Sequence, residues 1–452
     1  MEVYMYRNKV ILVLAVLFMT AFWGMADTPV NDGAKQKKGV ILKNWEISRL
    51  FDAVQINRDM YPHFYVIFMS GWHKIEPDDS GVLNIEKTIL PGYHIPASPL
   101  IFGRTVFQWD KKETITFFPE FLGDGVIFFN GQKMAEEQDH SLSVTAEKGL
   151  NEIFFMITKN KDAAGWGFKC SADRVLVPPA TDFSRLTKVW ETGTVFLTPE
   201  SVLYDEKRDI LYVTSFDNRY NPTNTDETLF TGFISKVKVS GEIENLHWIT
   251  KLNAPCGVCI YKDRLYTVER GFLTEIDINE GKILKRYRIE GSEFLNDIIV
   301  DDNGYIYMSD TSPSAPIKSR IYRFREGKSE LWEGSDAIYR ANGLFIYNKG
   351  LLVGNSGDGF LKSIALKDKK ITAVISLGAG IIDGIRVDNK GNFLVSHWEG
   401  LVYLISPEGK VIKILDTLKD MVNTADFEFI KKKNLLIIPT FMGNKIVAYR
   451  LN

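Results

Sequence analysis

The sequence predicts an all-β chain, a six-bladed β-propeller preceded by a β-sandwich (jelly-roll-like) domain. Three observations predict it. Residues 187–452 carry one short motif six times, the last of these units is a strand short while a matching strand precedes the first, and residues 39–179 alternate apolar runs with Gly, Asn and Asp without repeating. Composition agrees: 45% of the 452 residues are apolar and 25% charged, the balance of a foldable globular chain. Lys+Arg 55 against Asp+Glu 57 leaves a net charge of −2, without the basic excess of a general nucleic-acid binder. Three cysteines exclude a disulfide-built scaffold.

The first element is an export signal. Arg7 and Lys9 precede an uncharged apolar run from Val10 to Trp23, and Gly24-Met25-Ala26 supplies small residues for cleavage. The competing reading is a membrane anchor, but the run falls short of the roughly 20 residues a spanning helix needs. Loss of residues 1–26 removes Glu2, Arg7 and Lys9 and leaves 53 basic and 56 acidic residues, net −3. No later segment is apolar enough to span a bilayer, so the expectation is a protein exported to the periplasm or the medium.

The second element, residues 27–180, reads as strands. Phe64–Met69, Thr114–Phe118, Gly125–Phe129 and Asn151–Ile157 are apolar runs separated by turn residues. The stretch from Val126 to Gly131, with its Asn130-Gly131 turn, and the later Gly149-Leu150-Asn151 ahead of a core strand resemble the galactose-binding-like jelly roll. That resemblance spans about 60 residues and implies either a carbohydrate site or a packing role; fold alone does not choose. Val177-Pro178-Pro179 then stiffens the connection, because proline fixes its own φ and restricts its predecessor.

The third element repeats. Glu200-Ser-Val-Leu-Tyr-Asp205, Cys256-Gly-Val-Cys-Ile-Tyr261, Asn296-Asp-Ile-Ile-Val-Asp301, Asn342-Gly-Leu-Phe-Ile-Tyr347, Asp383-Gly-Ile-Arg-Val-Asp388 and Ala425-Asp-Phe-Glu-Phe-Ile430 align without gaps at intervals of 56, 40, 46, 41 and 42 residues. Each continues through a turn into a second strand, as in Asp302-Asn303-Gly304 before Tyr305–Ser309. Four strands per roughly 40–45 residues is the period of a propeller blade. The final unit ends after three strands, and Lys188-Val-Trp-Glu-Thr-Gly193 resembles the fourth strand at Glu330–Ser335. Pairing the two ends closes the ring and removes exposed sheet edges.

The first strand of each blade lines the central channel, so the first residues of the six units converge on one mouth. They are Glu200, Cys256, Asn296, Asn342, Asp383 and Ala425, with Asp297 and Asp426 one position later. Second strands return to the same mouth and bring Glu269, Asp310, Asn355 and His397. The long segments Asp217–Thr231 and Thr311–Ser319 emerge there too, at lengths typical of binding loops. Carboxylates and carboxamides converging on one point are hard oxygen donors suited to a divalent cation, most simply Ca2+; zinc prefers His or Cys. The competing reading is that they hydrogen-bond to buried channel waters.

Pro199-Glu200-Ser201-Val202, Leu295-Asn296-Asp297, Ala341-Asn342-Gly343-Leu344 and Ile382-Asp383-Gly384-Ile385 resemble the motifs of the senescence-marker-protein/gluconolactonase/LRE-like propellers. The likeness covers 266 of 452 residues. It implies a metal held by Glu200, Asn342 and Asp383, substrate contact at Asn296 with Asp297 beside it, and Asp383 as the base that handles the attacking water. His397 is a second candidate base, since a histidine titrates near neutrality; the competing reading is a strand-end histidine bonded to a loop. One departure concerns the substrate: sugar-lactonase members carry Arg where this chain has Phe294, which puts an aldonolactone in doubt.

Other motifs are discounted. Cys256-Gly-Val-Cys259 has redox spacing but opens a strand, whereas a low thiol pKa needs a helix N-terminus. No phosphate-binding Gly-x-x-x-x-Gly-Lys loop or Gly-x-Ser-x-Gly elbow occurs. Two functions remain: a metal-dependent hydrolase of a lactone or related cyclic ester, and a non-catalytic propeller that binds a small molecule or carbohydrate around a structural calcium ion.

Overall fold

The computed structural model describes residues 39–52, 72–85, 98–136, 141–159, 166–217, 230–311 and 320–452. The leader at 1–26, the run Phe64–Met69, and nearly all of the segments expected at Asp217–Thr231 and Thr311–Ser319 lie outside the described residues. Two compact units account for the chain. One takes the described residues up to Ala180 together with Ile375–Ala379, and the other takes the remainder. No helix among the described residues is long and apolar enough to cross a membrane.

The first unit is a two-sheet sandwich. In one sheet Gly167–Ala172 pairs antiparallel with Glu113–Leu122, which pairs with Leu142–Ala146. In the other, Gly149–Thr158 lies between Pro99–Trp109 and Asp124–Phe129. Leu142–Ala146 alternates buried and exposed positions, the period-2 signature of a strand with one face on the core. The rings of Phe155 and Phe168, one from each sheet, stack with centroids 4.0 Å apart, and Trp45 closes on both at 5.5 and 5.3 Å. The Asn130-Gly131 turn forms as expected: φ is +48° and +81° at its two central residues, the handedness that matches strand twist in a two-residue hairpin. Asn151 fixes this corner, accepting from Asn130 at 3.0 Å and from the Glu147 amide at 2.9 Å.

The second unit is a ring of six blades, each built on four strands paired in succession. Their first strands are Pro199–Asp205, Val258–Tyr261, Leu295–Val300, Ala341–Tyr347, Ile382–Val387 and Glu428–Ile430. Each touches the first strands of both neighbouring blades, so the six encircle a central channel. The sixth blade has three strands of its own, and Leu186–Glu191 supplies the fourth by pairing antiparallel with Lys445–Leu451. This is the closure the sequence predicts. Second strands such as Ile210–Ser215 and Gly350–Asn355 are buried throughout, while the outermost Lys328–Glu333 is mostly exposed.

The motif's terminal aspartate has a local reason. Asp301 Oδ1 accepts the amides of Asn303 and Tyr305 at 2.9 and 2.8 Å, and Asp388 Oδ1 accepts those of Lys390 and Asn392, both at 2.8 Å. An aspartate that bonds its own following backbone sets the tight turn into the second strand. Asp205 does the same toward Lys207 and Arg208.

Candidate functional site

The first and second strands of blades one, three, four and five slip register at one place. The irregularities fall between Pro199 and Val202, Leu295 and Ile298, Ala341 and Leu344, and Ile382 and Ile385. In blades two and six the regular ladder begins only at Val258 and Glu428. Before it the Cys256 amide reaches the Val268 carbonyl at 3.0 Å and the Ala425 amide the Pro439 carbonyl at 3.1 Å, so the first strand is offset by one residue there too. A bulge bends the strand and re-aims the unpaired residue, a device common beside active sites. The residues inside these four bulges include Glu200, Asn296, Asn342 and Asp383.

Each of the four is buried, and each presents one side-chain oxygen without a hydrogen-bond partner: Glu200 Oε2, Asn296 Oδ1, Asn342 Oδ1 and Asp383 Oδ1. Buried polar atoms are nearly always bonded, and an unmet one costs roughly 1–3 kcal/mol. Four at equivalent positions of one ring is a built feature. Hydroxyls of the second strands hold the bulges open: Ser201 N donates to Thr214 Oγ1 at 3.0 Å, Asp297 N to Ser309 Oγ at 2.9 Å and Gly384 N to Ser396 Oγ at 2.8 Å. Close approach between blades does the rest. A Cβ on Gly343 would lie 1.6 Å from the Asp383 carbonyl oxygen, so only glycine fits there.

Asp297 and Asp426 are turned to another use. Asp297 accepts the Ile298 amide on Oδ1 and the Leu344 amide of the next blade on Oδ2, both at 2.6 Å. Asp426 accepts Ser201 Oγ of blade one at 2.6 Å and faces Arg386 of blade five at 3.4 Å. Arg386, also paired with Glu428 at 3.3 Å, is the cation of this network, its side chain 12% exposed. Both aspartates therefore tie neighbouring blades together.

The charge balance at the mouth is negative. Burial first, then the proximity of Asp383, Asp426 and Asp297, holds Glu200 well above the usual carboxylate range. Burial and the charges of Asp426, Asp297 and Glu399 do the same to Asp383. A bound cation inverts such shifts by stabilising the ionised form. Among the described residues no three His, Cys, Asp or Glu side chains form a metal-holding group. A cation here would therefore depend on the Asn342 and Asn296 carboxamides alongside Glu200 and Asp383. An all-oxygen set of this kind is what Ca2+ accepts.

The second-strand ends largely serve the loops. Asp310 accepts the amides of Phe294 at 2.8 Å and Glu293 at 3.1 Å, Asn355 accepts that of Tyr339 at 3.0 Å, and Glu269 accepts that of Asn253. Each clasps the segment leading into its own blade. Blade five differs: Glu399 takes this duty by accepting the Ile381 amide at 3.0 Å. His397 sits opposite Ile382 in the ladder. The His397 ring is buried, meets Tyr403 edge-on at 5.2 Å and faces Gly380. Phe294 carries the Arg270 guanidinium on its face at 3.5 Å, delivered from blade two. Cys256 and Cys259 are both free and buried, and burial raises both thiols, so neither is a ready nucleophile.

Sequence reasoning missed the hydroxyls of Thr214, Ser309 and Ser396 and the clasp at Glu399. The hydroxyls recur one residue before the second-strand ends Ser215, Asp310 and His397, a signal present but unread.

No protein-family model matches the chain, and no curated protein matches it. Among solved structures it is similar to a catalytically inactive virginiamycin B lyase from Staphylococcus aureus with quinupristin, at 12% identity and a TM-score of 0.43 over 59% of this chain and 99% of that one. The selenomethionine-substituted form of that lyase gives 14% identity and 0.44 over 59% and 100%. A luciferin-regenerating enzyme gives 15% and 0.41 over 59% and 94%. At these identities and scores the similarity carries no statement about activity. The propeller rests on the strand order itself, and none of the three chains supports the jelly-roll likeness of the sandwich.

Proposed function

We propose that the propeller is an exported, cation-dependent hydrolase of a lactone or related cyclic ester. The observation that supports this reading is the set of four unmet oxygens carried by four bulges at one mouth. Glu200, Asn342 and Asp383 would hold a calcium ion, with Asn296 beside them for the substrate. When bound, the ion polarises the ester carbonyl and offsets the charge that develops on its oxygen.

The chain's own groups handle the proton. Asp383 accepts a proton from water as the water oxygen bonds to the carbonyl carbon. The ring C–O bond then breaks, and the departing alkoxide takes up that proton, giving the hydroxy acid. His397, at the end of the second strand of blade five, is the second group able to carry a proton on this side of the ring.

A rival reading is a ligand-binding propeller whose cation holds the ring together. The ties from Asp297 and Asp426 to neighbouring blades favour it, because they show this end of the channel already working as a structural seam. Proton release from a panel of lactones, with calcium and then with a chelator, separates the two. The hydrolase reading requires turnover that calcium restores. Silence across the panel, with calcium still raising the melting temperature, would replace it with the rival.

A further inference from the structure

Above the four oxygens runs a girdle of rings, and its chemistry points to a substrate. Phe216, Arg270, Trp398 and Phe441 each follow directly on a second strand, and Phe294 directly precedes a first strand. Blade topology therefore puts all five at the mouth. They touch in sequence around it. Arg270 lies 3.5 Å from the Phe294 ring and 5.6 Å from that of Phe216, Phe216 meets Phe441 at 5.9 Å, and Phe441 meets Trp398 at 5.5 Å. The contacts run from blade three through two, one and six to blade five.

The girdle is anchored to the oxygen-bearing bulges. Phe216 N donates to the carbonyl of Thr198, two residues before Glu200, at 3.1 Å. Trp398 N donates to the carbonyl of Ile381, two residues before Asp383, at 2.8 Å. Phe294 itself stands two residues before Asn296. Three of the four rings thus stem from backbone tied within two residues of Glu200, Asn296 or Asp383, and Phe441 joins them through its contacts with Phe216 and Trp398.

From this juxtaposition we infer that the site takes a lactone fused to or bearing an aromatic ring. The inference rests on the hydrolase reading for the word lactone, and on the girdle alone for the aromatic ring. An aryl group entering the girdle exchanges one ring contact for another, and offset or edge-on ring pairs gain beyond plain area burial. A polyhydroxylated lactone would set its hydroxyls against Phe216, Phe294, Phe441 and Trp398, stripping them of water with little in return. Arg270, stacked on Phe294 and next to Phe216, acts as a positioning residue that joins blades two, three and one.

The test uses the full chain with calcium and three six-membered lactones: dihydrocoumarin, δ-valerolactone and glucono-δ-lactone. A fourth probe is 2-tetralone, the carbocyclic analogue of dihydrocoumarin that cannot be hydrolysed. Expected are a KM for dihydrocoumarin about tenfold or more below those of the other two, and competitive inhibition by 2-tetralone. Also expected is quenching by 2-tetralone of the fluorescence that Trp398→Phe removes. In Phe441→Leu, KM should rise about tenfold more for dihydrocoumarin than for δ-valerolactone. Preferential turnover of glucono-δ-lactone overturns the aromatic inference and leaves the hydrolase standing. No turnover of any lactone, with 2-tetralone still quenching Trp398, overturns the hydrolase and keeps an aryl-binding mouth. Absence of both turnover and quenching overturns the inference together with the reading beneath it.

Discussion

Blades one, three, four and five, compared with blades two and six, show how a repeated sheet acquires a site. All six present a first strand at the same mouth, yet only blades one, three, four and five place a buried side-chain oxygen without a partner at its head. Blade two offers the buried thiol of Cys256 at this position, and blade six offers Ala425. The second-strand hydroxyl exists in blade two as well, where Thr267 Oγ1 donates to the Gly257 carbonyl at 3.0 Å as Thr214 and Ser309 do to those of Ser201 and Asp297. The Gly257 amide, however, goes to the Asn296 carbonyl of blade three at 2.8 Å. A bulge leaves a backbone N–H off the ladder, and that N–H needs an acceptor.

The comparison can be broken at several points. The largest effect belongs to Asp383→Ala, which should lower lactone turnover about 10³-fold or more while the protein still folds. In chelator the melting temperature should not fall, since one of several crowded carboxylates has been removed. Steady-state rates and a thermal melt check both halves, and a collapsed melt would mean that Asp383 is structural.

Next is Gly343→Ala, which drives a Cβ into the Asp383 carbonyl and should cost about 3 kcal/mol in a denaturant titration. Gly391→Ala is its control. A Cβ there meets nothing within 4 Å, and only the positive φ of +82° opposes it, for about 1 kcal/mol.

Smaller and more telling is the hydroxyl pair. Ser396→Ala and Thr267→Val should each cost about 1 kcal/mol of stability. Only Ser396→Ala, which frees the Gly384 amide beside Asp383, should also reduce turnover, by about tenfold. Equal losses of activity in both variants would erase the distinction between blade two and the blades that carry an oxygen. The smallest effect is expected of Cys256→Ala, with turnover within about twofold of the parent, since that blade contributes no oxygen.

Much of this was legible in the residues. The six aligned motifs, the short last unit and the Lys188–Gly193 strand were enough to count blades and close the ring, because blade architecture writes itself as a period. Glu200, Asn296, Asn342 and Asp383 stood out because polar groups at the head of an apolar strand need a reason. The bulges did not stand out. A register shift is a relation between two strands, and a gap-free alignment of first strands cannot display it. The same blindness explains Asp297, which by position alone looks like a fifth donor. Only the neighbouring blade shows that its oxygens serve the Ile298 and Leu344 amides. Glu399 was likewise invisible, because the loop that a strand-end residue holds in blades two, three and four is held in blade five by a residue two positions further on.

The central claim is that the four bulges form one cation-holding mouth, and calorimetric titration of calcium into the parent protein and Asn342→Ala tests it most directly. Asn342 is neutral, so its removal leaves the charge of the ring unchanged and deletes one oxygen. The account predicts tight one-to-one binding in the parent and at least about a tenfold weaker fit in the variant. Equal affinity in the two, or no binding in the parent, would contradict it.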